Sequence, residues 1–144
     1  MRIFWLLIAL VVGTTACGVV SQPDQSAWRD SAVHSLEDAS AALATTRVVV
    51  TEQRRGNLPV RYAVTLLSGK EEGLAKAESS LATLQPPDAD RQRSSDLLTL
   101  LGEAVDAQRE VRVLVVDRDP VPETLLREID TLITELDRAA GELE

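Results

Sequence analysis

Apolar positions along the chain keep a seven-residue rhythm. Ala32, Leu36, Ala39, Leu43, Thr46 and Val50 step alternately by four and three, and so do Leu97, Leu101, Ala104, Gln108, Val111 and Val115. A last segment repeats the steps with Leu125, Ile129, Leu132, Leu136, Ala139 and Leu143. Such spacing puts one stripe of each helix inward and winds helices around one another at shallow angles. Between the first and third runs, Val60, Ala63, Val64, Leu67, Leu74, Ala77, Leu81 and Leu84 carry the same stripe with one step missing. Turn chemistry punctuates the four segments at 55–59 (RGNLP), 85–88 (QPPD) and 119–122 (DPVP). Short links force antiparallel neighbours. The pattern therefore predicts an all-α, up-down-up-down four-helix bundle over residues 26–144.

Two stretches pull the other way. Arg47 to Thr51 (RVVVT) and Val111 to Val116 (VRVLVV) are β-branched, as strands prefer. Each lies in phase with a helical stripe that runs well beyond it, so both are read as helix. Ser26 and Asp88 are expected to cap the first and third helices, and Pro122 suits the opening turn of the fourth. Trp28, four residues before Ala32 on the same stripe, is expected to close the end of the core.

Composition narrows the chemistry of that core. Apolar residues make up 44% of the chain but aromatics only 3%, so the interior must be aliphatic. The formal net charge is −8. A chain this acidic repels phosphate, which argues against a nucleic-acid partner. Arg outnumbers Lys thirteen to two, and Ala, Asp and Val are abundant. In this the chain resembles proteins of high-GC bacteria such as actinobacteria.

The N-terminal residues have a different logic. Arg2 precedes ten consecutive apolar residues, Ile3 to Val12, followed by the small residues Gly13-Thr14-Thr15-Ala16 and the only cysteine, Cys17. The order is that of a secretory signal peptide. A run this short does not span a bilayer as a helix, which takes ~20 apolar residues. Thr14-Thr15-Ala16-Cys17 resembles the lipobox of bacterial lipoprotein precursors, with Thr14 where that family usually has Leu. The resemblance covers residues 1 to about 20. It implies that a diacylglycerol is added to the Cys17 sulfur and that cleavage follows Ala16. Residues 1–16 would then be a removed leader, 17–25 a lipidated tether, and the protein would sit on the extracytoplasmic face of the cell membrane. With one cysteine, no disulfide can form within the chain.

Past residue 18, few motifs suggest chemistry. Asp30, His34 and Glu37 share one helix face, but that face lies opposite the Leu36/Leu43 stripe and there is no second histidine for a typical zinc or di-iron set. Ser68-Gly69-Lys70 fails as a phosphate loop, since Val64 and Glu71 stand where glycine and Ser/Thr are needed. No Gly-x-Ser-x-Gly elbow is present. The expectation is a non-enzymatic protein without a cofactor or metal.

Two features remain. In the second segment Lys70 and Glu71 occupy the missing step, flanked by Gly69 and Gly73, which each cost a helix ~1 kcal/mol relative to Ala. In an in-register bundle this level lies near Arg47, Gln108 and Thr131. Lys70, Glu71 and Gln108 are thus a candidate polar layer, able to set register or line a small-ligand or metal pocket. The plainer alternative is a kinked helix whose charges reach water. The second feature is charge. Folded up and down, residues 17–41, 71–103 and 132–144 sum to −10 and residues 42–70 and 104–131 to +1. Arg47, Arg54, Arg55 and Arg61 gather at the end away from the tether. They are candidate contacts for an acidic wall polymer or envelope protein, or else they pair with Glu52, Asp117 and Glu123 nearby. The functional expectation is an envelope binding or scaffolding module, with ligand binding at the polar layer as the alternative.

Overall fold

The computed structural model describes residues 24–144. The expected leader, Cys17 and the expected tether up to residue 23 lie outside the described residues. Four helices follow in order: α1 (Gln25–Arg54), α2 (Val60–Thr83), α3 (Arg91–Asp117) and α4 (Glu123–Gly141), with a short 3-10 turn, Asp88–Asp90, before α3. Among the described residues there is no strand. The two Val-rich stretches are helical throughout, because their phase with the buried stripe outweighs their local preference.

Neighbours in sequence are neighbours in space, and α1 also packs along α4, which closes the ring of an antiparallel four-helix bundle. Across the diagonal α1 approaches α3, whereas α2 and α4 stay apart. Small residues explain the short diagonal. Ala32, Ala39 and Thr46 on α1 and Ala104 on α3 are all fully buried. The seam of α1 is inaccessible from Ala32 to Val50, with Trp28 closing its end at 3% exposure. Leu67, Leu74, Leu81, Leu101, Ile129 and Leu136 fill the space between, also with no exposed surface. Each fully buried side chain of that size contributes about 1.5–3 kcal/mol relative to remaining exposed.

Helix α2 runs unbroken through Ser68–Gly73. At the missing step neither Lys70 nor Glu71 is fully buried; both are half-buried.

The helix ends differ from expectation in detail. Asp24, not Ser26, caps α1: its carboxylate accepts the Ser26 backbone N–H at 3.1 Å and the Ser26 hydroxyl at 2.8 Å. A carboxylate both satisfies the free N–H groups and opposes the positive end of the helix dipole, which a hydroxyl cannot do. These hydrogen bonds, that of the Ser26 side chain foremost, hold Asp24 below the usual carboxylate range. Asp88 opens the 3-10 turn and pairs with Arg91 at 2.6 Å, while α3 itself begins at Arg91. Pro122 stands just before α4 rather than inside its first turn, and its carbonyl accepts from Leu126 N–H at 3.3 Å.

At the end away from the N-terminus both connections leave through the same closure. After α1, Gly56 N–H donates to Gln53 O at 3.0 Å and Asn57 N–H to Glu52 O at 2.9 Å, with Gly56 at φ +79°. After α3, Arg118 N–H donates to Val115 O at 3.3 Å and Asp119 N–H to Leu114 O at 2.8 Å, with Arg118 at φ 63°. Both are Schellman closures, which need a left-handed residue. Glycine takes that conformation freely, whereas for Arg118 it costs about 1–2 kcal/mol.

Candidate functional site

The polar groups inside the bundle work on its architecture. Gln108, with no exposed surface, projects from α3 into the centre. Its amide nitrogen donates to Leu67 O of α2 at 2.9 Å, and its carbonyl oxygen accepts the Thr46 hydroxyl from α1. Leu67 O can only accept, so it orients the amide. The oxygen must then face Thr46, which must donate. Thr46 has a second acceptor, Ala42 O at 3.1 Å, one turn back on its own helix. One glutamine thus joins three helices at a single level.

Lys70, Glu71 and Gln108 do not converge. Glu71 lies outside the core at the α2–α3 seam, 19% exposed, where it accepts from Arg112 and from Arg109 at 3.3 Å. The Arg112 hydrogen bond foremost, with both nearby guanidinium charges, holds the Glu71 carboxyl below its ordinary 4.5. Lys70 borders a groove between α1 and α2 that does not include Gln108. Thr131 is exposed and hydrogen-bonds Arg127 O of its own helix.

The arginines also divide. Arg47 reaches Asp130 at 3.2 Å, and Arg54 reaches Glu123 at 3.1 Å and the carbonyl of Val121. Ser40, one heptad earlier on α1, donates to Asp137 at 2.6 Å. Each pair thus lies seven residues further along α1 and seven residues back along α4. This is a ladder of polar ties along the α1–α4 seam, in the positions that flank a heptad core. Arg55 pairs with Glu52 at 2.9 Å, and Asn57 donates to the other Glu52 oxygen at 2.7 Å, which keeps that carboxyl below its ordinary range. Arg61 and Arg118 are exposed and form no ion pair with another described residue. Of the four arginines gathered at this end, only Arg61 has no carboxylate partner among the described residues.

The Asp30, His34 and Glu37 face points to water, with the His34 side chain 80% exposed and 3.5 Å from Glu37. No group of three potential metal ligands converges among the described residues. At the N-terminal end Gln25 donates to the buried Asp90 at 3.0 Å, tying the start of α1 to the start of α3. Beside this tie the α3–α4 seam opens as a groove of about 810 Å³, floored by Leu97, Leu100 and Ala139 and rimmed by Arg93, Asp96 and Arg138. The α1–α2 groove, about 520 Å³, is lined by Ser35, Ala42, Thr45, Gly69, Gly73 and Ala77.

Compared with known protein families, with curated proteins and with solved structures, the chain matches none.

Two outcomes follow from these ties. Thr46→Val should destabilise the fold by about 1–3 kcal/mol, because it strands the buried Gln108 oxygen. Adding Gln108→Leu should recover most of that loss, as both polar partners are then gone; urea unfolding of the wild type and the two variants measures it. Glu71 gives a pH dependence. Its folded value is depressed, so its contribution is complete above about 4.5 and fades as pH falls through the lower folded value. The melting-temperature gap between wild type and Glu71→Gln should narrow from about pH 6 to about pH 3.

Proposed function

We propose that the chain is a lipid-anchored protein of the cell envelope, held through Cys17, whose bundle serves as a non-enzymatic binding or scaffolding module. One observation carries the second half of this reading. Ser40, Thr46, Asp90 and Gln108, all buried, each tie one helix to another. These four groups are thereby engaged in holding the bundle together, which leaves the surface as the place to meet a partner. Support for the anchor comes from Ile3–Val12 and the lipobox-like Thr14-Thr15-Ala16-Cys17. No helix among the described residues is long and apolar enough to cross a membrane. An acidic wall polymer or envelope protein remains the partner class that exposed arginine would attract, with Arg61 and Arg118 as its contacts.

Metabolic labelling with a fatty-acid analogue tests the anchor. The wild type should be marked and Cys17→Ala should not, and the mutant should leave the membrane fraction or remain unprocessed. Equal label on both would overturn the assignment. Crosslinking in native cells tests the module: the mature protein should be recovered joined to an envelope polymer or protein. A stoichiometric metal or metabolite recovered with it instead would favour a ligand carrier.

A further inference from the structure

One face of the bundle, along α1 and α2, exposes apolar and small residues among a few charges. Between Asp38 and Glu52, the outward positions of α1 are Ala41, Ala44, Thr45 and Val48, of which Ala41 and Thr45 line the groove against α2. The adjoining edge of α2 carries Tyr62, Leu66, Gly69 and Gly73, with Lys70 and Lys76 beside the glycines. Tyr62, Leu66 and Val48 are 62%, 43% and 60% exposed, which for large apolar side chains on an acidic protein is costly. No side-chain hydrogen bond or ion pair joins α1 to α2 among the described residues, in contrast to the ladder between α1 and α4.

The glycines are unexplained within one chain. Gly69 and Gly73 sit inside a helix, where neither needs a left-handed backbone, and a Cβ on either would meet nothing within 4 Å. Helix preference disfavours both by about 1 kcal/mol. Their lack of side chains instead opens the 520 Å³ groove beside them. Bumps and groove occur on the same edge, and their spacing is symmetric. Leu66 and Tyr62 lie three and seven residues before Gly69, and Lys76 and Ser80 lie three and seven after Gly73.

We propose that this α1–α2 face is where two copies of the chain pair as an antiparallel dimer, with the two-fold axis crossing α2 between Gly69 and Gly73. A half-turn about that axis brings Gly69 of one copy against Gly73 of the other, so the two α2 helices approach closely. Leu66 then lies over Lys76 and Ala77 of the second copy, whose lysine stem covers it, and Tyr62 lies over Ser80. The same patch serves both copies, as an isologous interface requires. Charge selects the antiparallel sense. Residues 24–41, 71–103 and 132–144 sum to −10, and residues 42–70 and 104–131 to +1. A parallel pair would set the two acidic ends side by side. The antiparallel pair puts Arg55 and Arg61 opposite the end bearing Asp30, Glu37 and Asp38. The dimer does not depend on the lipid anchor, and it tells a scaffold from a lone module.

Sedimentation of the full chain in detergent micelles, over a range of protein concentrations, tests the proposal. Wild type should dimerise, more weakly as salt rises. Gly73→Gln fills the groove at a site where its Cβ is free. It should raise the dissociation constant at least about tenfold while raising the melting temperature of the dilute monomer. Leu66→Ser should weaken pairing without raising that temperature. For orientation, Cys17→Ser and Asn57→Cys together place a spin label on each α1–α2 turn. Antiparallel copies should hold the two labels about 40 Å apart, given a rise of ~1.5 Å per residue over the roughly 14 residues between each label and the two-fold axis. A monomer at every concentration, a dimer indifferent to Gly73→Gln and Leu66→Ser, or labels within a bundle width of each other would each overturn it.

Discussion

Gln108 can satisfy its amide oxygen in one register of α1 only. Its nitrogen needs Leu67 O on α2 and its oxygen needs the Thr46 hydroxyl on α1, and both lie at the same level of the bundle. A slip of α1 by a turn takes the Thr46 hydroxyl away and leaves the buried Gln108 oxygen without a partner, at a cost of about 1–3 kcal/mol. The constraint matters because the rest of the core is permissive. Leu, Val and Ala stripes at heptad spacing pack acceptably in more than one register, and with aromatics at 3% of the chain few large shapes forbid the alternatives. One amide supplies the specificity that aliphatic packing leaves open.

The outer seams follow from that register. With α1 and α3 fixed across the short diagonal, Ser40, Arg47 and Arg54 meet Asp137, Asp130 and Glu123 one heptad at a time. Glu71 meets Arg109 and Arg112 on the opposite side. Individually such exposed pairs contribute little, ~0–1 kcal/mol. Their repetition in phase opposes sliding of α1 along α4. The α1–α2 face carries no such ties, and there the small residues and the exposed Tyr62 and Leu66 are left facing outward.

The helices and their seams were legible in the sequence because a heptad repeat depends on one residue type at fixed steps. The stripe from Ala32 to Val50 is buried position by position. Gln108 was legible as a polar break in its stripe, but its partners were not. Thr46 reads as an ordinary small seam residue, and Leu67 contributes only a backbone carbonyl, which no side chain announces. Lys70 and Glu71 drew attention because they interrupt the α2 stripe, yet a long side chain at a seam edge can turn outward, and Glu71 does so toward two arginines on α3. Pairing of the arginines with Glu52 and Glu123 was legible, and Arg55 and Arg54 do meet them, whereas the Asp130 partner of Arg47 was not, because it lies more than eighty residues away in sequence. The heptad offset that joins them emerges only once α1 and α4 are placed side by side. Asp24 in place of Ser26 at the first cap is a shift of two residues, the usual uncertainty of a helix end.

Nuclear magnetic resonance of the Gln108 side-chain amide tests this account most directly. One of its nitrogen-bound protons should exchange with solvent as slowly as the core backbone amides, and a coupling across the hydrogen bond should connect the amide nitrogen to the Leu67 carbonyl carbon. An amide that exchanges at the rate of a solvent-exposed glutamine, with no coupling to Leu67, would show that the register is held by something else.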